Sequence, residues 1–228
     1  GIYEASILVD GGPLSGSVTL PVRMEAKVPG PPVRPPPILT SVTHGATFER
    51  SPLAPGTIAT LFGSRFTGDK VEVRVSELPA RIFFKNDTQI NFEIPQILLT
   101  GGTVNVVVSV DSQNSLPVAI SLAPASPGIF PNAILNQDNS VNAADNPALS
   151  GSIVQIYLTG LPTTGNPVTV RIHDYTVRPL YAGTAPGFIG LQQVNAEVPA
   201  TLQSITADLA VCSGAICSPA RKLTVVQP

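Results

Sequence analysis

The sequence predicts an all-β protein made of tandem immunoglobulin-like β-sandwiches, and three observations carry that prediction. Gln89-Ile90-Asn91-Phe92-Glu93-Ile94-Pro95 returns as Gln193-Val194-Asn195-Ala196-Glu197-Val198-Pro199. Pro55-Gly56-Thr57-Ile58 is echoed by Ser150-Gly151-Ser152-Ile153, and Val71-Glu72-Val73-Arg74-Val75 by Val168-Thr169-Val170-Arg171-Ile172. The offsets are 104, 95 and 97 residues, so blocks recur in one order with loops of different length between them. A period of about one hundred residues is too long for a solenoid unit and suits a whole sandwich domain. Short Val/Ile/Thr-rich runs lie between 24 prolines and 19 glycines, the pattern of brief strands joined by turns. No segment sustains a 3.6-residue apolar period, so helix is expected to be scarce, with at most a turn near 142–148.

In chain order, residues 1–28 read as a hairpin, with Val18, Leu20, Val22 and Met24 alternating cleanly after a turn at Asp10-Gly11-Gly12-Pro13. Two strands alone are marginal in water. The expectation is the closing hairpin of an Ig-like domain whose front half is missing, which then pairs with the next domain, pairs with another chain or is partly mobile. No secretory leader is legible at residue 1. Residues 29–37 are a proline-rich linker, read as an extended spacer in preference to a docking peptide. A first sandwich is expected over 38–122, with strands near 38–42, 57–62, 71–76, 80–84, 88–94, 103–110 and 117–122. A stiff linker follows over 123–132, then a second sandwich over 133–228.

Cys212 and Cys217 stand five residues apart around Ser213-Gly214-Ala215-Ile216. A hairpin-closing disulfide is favoured, two free thiols are the alternative, and metal is disfavoured because His44 and His173 lie far off in sequence without companion thiols. Aligning the last hairpins of the two halves places Cys212 opposite Asp111. A disulfide favours an oxidising compartment.

Composition excludes several classes. Charged residues are 12% of the chain and the net charge is −2, unlike a phosphate-binding surface, so no nucleic-acid partner is expected. No run approaches the ~20 apolar residues of a spanning helix. No cofactor is implied.

Candidate sites are few. Gln89, Asn91 and Glu93, with their twins Gln193, Asn195 and Glu197, form a polar ladder facing away from Ile90, Phe92 and Ile94. Amides in a row suit sugar hydroxyls, but zero tryptophans and 5% aromatic content favour a structural role. A ligand-binding reading gains if Tyr3, Tyr157, Tyr175 or Tyr181 cluster on one exposed surface. The loop from Asn136 to Asn142 is dense in oxygen ligands yet lacks the acidic count of a calcium loop, so a turn built on side-chain hydrogen bonds is the simpler expectation. His173 and Asp174, read as strand neighbours, point to opposite faces, and no Gly-x-Ser-x-Gly elbow or other nucleophile motif accompanies them. Catalytic and metal residues are therefore expected to be absent.

The chain also resembles a known family. Ser41-Val42-Thr43-His44-Gly45-Ala46-Thr47-Phe48, Leu53-Ala54-Pro55-Gly56-Thr57-Ile58 and the first heptad are similar to its first half. Ser126-Pro127-Gly128-Ile129-Phe130, Ala133 to Asp138, and Tyr181 to Pro199 are similar to its second. The family is the uncharacterised C-terminal domain of many large secreted proteins in Solibacter-type acidobacteria, and the opening hairpin is similar to the end of a BACON-type Ig-like domain. His44-Gly45 departs from the family's pattern, where the pair usually begins with Asn. The cysteine loop is a feature of this chain. The resemblance implies IPT/TIG-like sandwiches and export to the cell surface or beyond, and no chemistry. The function expected is a non-catalytic extracytoplasmic spacer or presentation module. The alternatives are a polysaccharide- or protein-binding module, or an accessory domain of a secreted hydrolase.

Overall fold

A computed structural model describes residues 2–13, 16–26, 34–98, 100–162 and 165–228. Most of the proline-rich segment, residues 29–33, lies outside the described residues. The chain divides into two compact units, residues 1–35 and 36–228.

The first unit is one antiparallel hairpin, β1 (Ile2–Asp10) and β2 (Ser17–Glu25). Register pairs Tyr3 with Met24, Ala5 with Val22, Ile7 with Leu20 and Val9 with Val18. One face is thus wholly apolar while the other pairs Glu4 with Arg23.

The second unit begins with a sandwich of β3 (Ile38–His44), β4 (Ile58–Ser64), β5 (Val71–Val75), β6 (Leu78–Ala80), β7 (Ile82–Lys85), β8 (Gln89–Glu93), β9 (Thr103–Val110), β10 (Gln113–Asn114) and β11 (Val118–Ser121). One sheet runs β3-β4-β8-β7. The other runs β10-β9-β5-β6, with β11 also on β9.

A second sandwich follows: β12 (Gly128–Leu135), β13 (Ala148–Leu149), β14 (Ile153–Thr159), β15 (Val168–Ile172), β16 (Tyr175–Val177), β17 (Tyr181–Thr184), β18 (Gln192–Glu197), β19 (Ile205–Ser213), β20 (Ile216–Cys217) and β21 (Arg221–Val226). Its sheets are β12-β14-β18-β17 and β13-β21-β19-β15-β16, with β20 on β19. No helix occurs among the described residues; the segment near 142–148 forms an Ala143–Asn146 bridge and leads into β13.

Each sandwich closes over its own apolar cluster, as the alternation of strand residues requires. Leu61, Phe66, Val75, Ile90, Phe92, Ile94, Val106 and Val108 are fully buried in the first. Ile156, Leu158, Val170, Ile172, Val194, Leu209, Val211 and Leu223 fill the second.

The sequence repeat is a repeat of register. β4 meets β8 with Ile58 opposite Glu93, Thr60 opposite Asn91 and Phe62 opposite Gln89. β14 meets β18 with Ile153 opposite Glu197, Gln155 opposite Asn195 and Tyr157 opposite Gln193. The turn hydrogen bonds duplicate as well: Gly56 N–H to Ile94 O and Gly151 N–H to Val198 O, then Ile94 N–H to Thr57 O and Val198 N–H to Ser152 O.

Three expectations change. The strand expected at 80–84 is two strands that switch sheets at Arg81, β6 joining β5 and β7 joining β8. The second sandwich does the same between β16 and β17. The segment read as a linker over 123–132 is shorter, because Gly128 to Asn132 already belong to β12, whose backbone pairs with β14. The cysteine alignment moves by two residues. Val108 and Ser115 exchange main-chain and hydroxyl bonds as Val211 and Ser218 do, so Cys212 corresponds to Ser109 and not to Asp111.

Candidate functional site

The polar ladder is a feature of one sheet in each sandwich. In the first, Gln89 Nε2 donates to Asn91 Oδ1 at 2.8 Å, Thr60 Oγ1 donates to the same oxygen at 3.1 Å, and Gln96 Nε2 donates to Glu93 Oε1 at 2.8 Å. In the second, Gln193 Nε2 donates to Asn195 Oδ1 at 2.8 Å and to Gln155 Oε1 at 3.3 Å. Glu197 is exposed at the end of that row. The Gln–Asn bond is thus the same in both copies, set by two residues of one strand that share a face.

Two of the four tyrosines meet on the second ladder. Tyr157 lies opposite Gln193, and Tyr181 lies opposite Asn195. Tyr175 instead bonds Thr201 Oγ1 at 3.0 Å on the other sheet, and Tyr3 lies in the N-terminal hairpin. The first sandwich carries Phe62 and Phe84 at the equivalent places, and Phe62 contacts Phe48 with ring centroids 6.3 Å apart.

The Asn136–Asn142 loop spends its oxygens on itself and its neighbours. Asn142 Nδ2 donates to Asn136 Oδ1 at 2.9 Å, and Thr224 N–H donates to Asn142 Oδ1 at 2.8 Å. Gln137 Oε1 accepts from Ile153 N–H, and Asn139 Oδ1 accepts from Gln155 Nε2. The Ser140 hydroxyl and N–H both donate to Asp138 Oδ1, which holds that exposed carboxyl below its usual range. Among the described residues no three His, Cys, Asp or Glu side chains gather as a metal set.

His173 and Asp174 do meet, contrary to the strand reading. They are the two-residue turn between β15 and β16, with His173 at φ 52°, and Nε2 lies 3.0 Å from Asp174 Oδ2. A turn reverses the chain, so the opposite-face rule for strands does not apply. Both side chains are solvent-exposed, and so exposed a contact contributes little.

Cys212 and Cys217 are disulfide-bonded across paired positions of β19 and β20. The matching pair in the first sandwich is Ser109 and Asn114.

The joint between the sandwiches is held by side-chain and main-chain bonds from both, and sequence reading found only its proline stiffness. His44, 1% exposed, has Nδ1 accepting from Ala46 N–H at 3.1 Å while Nε2 lies 2.9 Å from Ser126 O. That pair of contacts requires the neutral ring with its proton on Nε2. Burial lowers the His44 pKa; the Ser126 carbonyl and the charge of Glu49 act the other way.

Ser126 is also held by its N–H on Gly160 O and its hydroxyl on Pro52 O. Thr159 Oγ1 accepts from Ile58 N–H at 2.8 Å, and Arg221 Nη2 donates to both Ile129 O and Ala46 O. Gly160, at φ 87°, is obligatory, since a Cβ there would lie 1.8 Å from Ser126 O. In the first copy Arg65 takes that place, also at positive φ. A glycine replacing arginine between otherwise matching blocks was the available signal.

Residues 37–122 match the family model of the IPT/TIG domain. No curated protein sequence matches the chain. Among solved structures the chain is similar to SGBP-B of the Bacteroides ovatus mixed-linkage glucan utilization locus, in complex with a mixed-linkage heptasaccharide, at 13% identity and TM-score 0.43. The match covers 100% of this chain and 53% of that one, so the chain spans about half the length of that protein. It is also similar to domains 4–9 of the surface layer protein SbsC, at 16% identity and TM-score 0.27 over 99% of this chain and 35% of that one. The tandem Ig repeats of Dlar match at 10% identity and TM-score 0.25, over 85% and 99%. At such scores the likeness carries nothing about ligand or role.

Proposed function

We propose that residues 38–122 and 128–228 are two Ig-like domains forming one rigid, non-catalytic module that spaces or presents other parts of a secreted or surface protein. The observation that carries this is the joint. Ser126, in the short connector, bonds His44, Pro52 and Gly160 at once, and Arg221 ties Ala46 to Ile129. A flexible tether would leave such main-chain groups to water. The disulfide, the IPT/TIG match and the resemblance to the Solibacter-type C-terminal domain support an extracytoplasmic setting. The resemblance of residues 1–28 to the end of a BACON-type domain fits a chain of several such modules.

Limited proteolysis with thermolysin tests the module. Residues 36–228 are expected to persist as one fragment, and early cleavage within 123–132 that releases two halves contradicts the reading. Protease shaving of intact producing cells tests the setting, which fails if the chain remains protected until the cells are lysed.

A further inference from the structure

We propose that the outward face of the β12-β14-β18-β17 sheet is a binding platform for a neutral polysaccharide, with Tyr181 as its stacking surface. This goes beyond the spacer reading and stands independently of it.

The platform is a small lattice fixed by register. One row across the sheet is Tyr181, Asn195 and Gln155; the next is Gly183, Gln193 and Tyr157. The bareness of Gly183 sets the pose of Tyr181. A Cβ at Gly183 would lie 2.9 Å from the Tyr181 hydroxyl oxygen and 3.2 Å from Cζ, so the phenol end passes directly over the glycine backbone. The hydroxyl then donates to Thr184 O at 2.6 Å, pinning the ring along its own strand. The residue remains 41% exposed. A ring laid down and tethered in this way gives an apolar surface for the C–H face of a pyranose, with little side-chain entropy left to lose on binding.

The neighbouring amides supply the polar half. Gln193 spends its Nε2 on Asn195 and Gln155, and Asn195 accepts with Oδ1. Among the described residues neither Asn195 Nδ2 nor Gln193 Oε1 has a protein partner, which leaves a donor on the half-buried Asn195 beside the ring and an acceptor on Gln193, itself 9% exposed, at the floor between the two tyrosine strands. Adjacent hydroxyls of a sugar both donate and accept, and match such a pair.

Charge narrows the ligand. The four strands of this sheet carry a single charged residue, Glu197, two positions along from Asn195 on the same face. A carboxylate there repels uronate- or sulfate-bearing chains and accepts from a hydroxyl of a neutral one. The absence of basic residues on these strands also disfavours an acidic protein partner.

The test is affinity electrophoresis of the intact chain through native gels containing, in turn, a soluble β-glucan, a xylan, a mannan and a galactan, with an alginate gel as the anionic arm. At least one neutral polymer is expected to retard the chain, and alginate is not. Tyr181→Ala is expected to weaken retardation at least tenfold in polymer concentration. Gly183→Ala keeps the phenol but lifts it from the sheet, and is expected to do the same with an unchanged thermal melt. Asn195→Ala serves as a third variant, and Asn114→Ala, exposed on the other sheet of the first sandwich, as the control that leaves binding intact. The chain has no tryptophan, so tyrosine fluorescence titration gives an independent readout. The proposal is overturned if no neutral polymer retards the chain, if retardation survives Tyr181→Ala and Gly183→Ala, or if alginate alone binds. None of these results bears on the rigidity of the joint.

Discussion

His44 Nε2 donates to the main-chain carbonyl of Ser126 at 2.9 Å, a bond that reaches from the last residue of β3 to the connector between the sandwiches. Its partner contact, Ala46 N–H to Nδ1, leaves no room for a second ring proton without setting donor against donor. The joint therefore depends on the neutral ring.

Acid should weaken the fold for this reason. Burial holds the folded pKa of His44 below its ordinary 6.5, so as pH falls the unfolded chain takes up the proton first. His44 contributes its full stability above the unfolded value, loses it as pH drops toward the folded value, and levels off below that. Thermal melts between pH 7.5 and 5 should show a falling Tm in the native chain and a flatter profile in His44→Gln. An identical slope in both contradicts the assignment.

Gly160→Ala should destabilise residues 36–228 by about 2–3 kcal/mol, combining a left-handed backbone with a Cβ driven into Ser126 O. Gly187→Ala, in the same unit, shares the positive φ but meets nothing within 4 Å, and should cost less. Urea titration compares the two, and equal losses refute the steric account.

Reducing the Cys212–Cys217 bond, or replacing both residues by Ser, should cost about 2 kcal/mol without unfolding the hairpin, given so short a loop. Ser109 and Asn114 hold the same place in the first sandwich with no bridge, and that turn forms nonetheless. Loss of the β19–β20 pairing in the double serine variant, seen by amide exchange, contradicts this.

The repeat was legible because register has period two: once Gln89 and Gln193 matched, the inward residues Ile90 and Val194 had to match as well. The sheet switch at Arg81 was not legible, because a strand that changes partners keeps the same local alternation. The His173–Asp174 contact was missed because a two-residue turn was read as strand. The joint was hidden for a deeper reason. Ser126, Gly160 and Arg221 act through main-chain oxygens, which any sequence supplies, and only the fold brings them together. The aromatic platform was half visible: the amides were found on the strand, while the pose of Tyr181 depends on Gly183 two residues away.

Residues 36–228 form a compact unit by themselves, so removing residues 1–35 should leave their melting temperature unchanged. The apolar face of the β1–β2 hairpin should instead show itself as dye binding that disappears with the deletion. A melting temperature lowered by the deletion contradicts the division.

The rigidity of the joint is tested most directly by distances between spin labels placed at Arg74→Cys and Arg171→Cys, equivalent exposed positions on β5 and β15. One narrow distance distribution is predicted, broadening in Gly160→Ala. A broad or multimodal distribution in the chain with an intact joint would show that the two sandwiches swing freely.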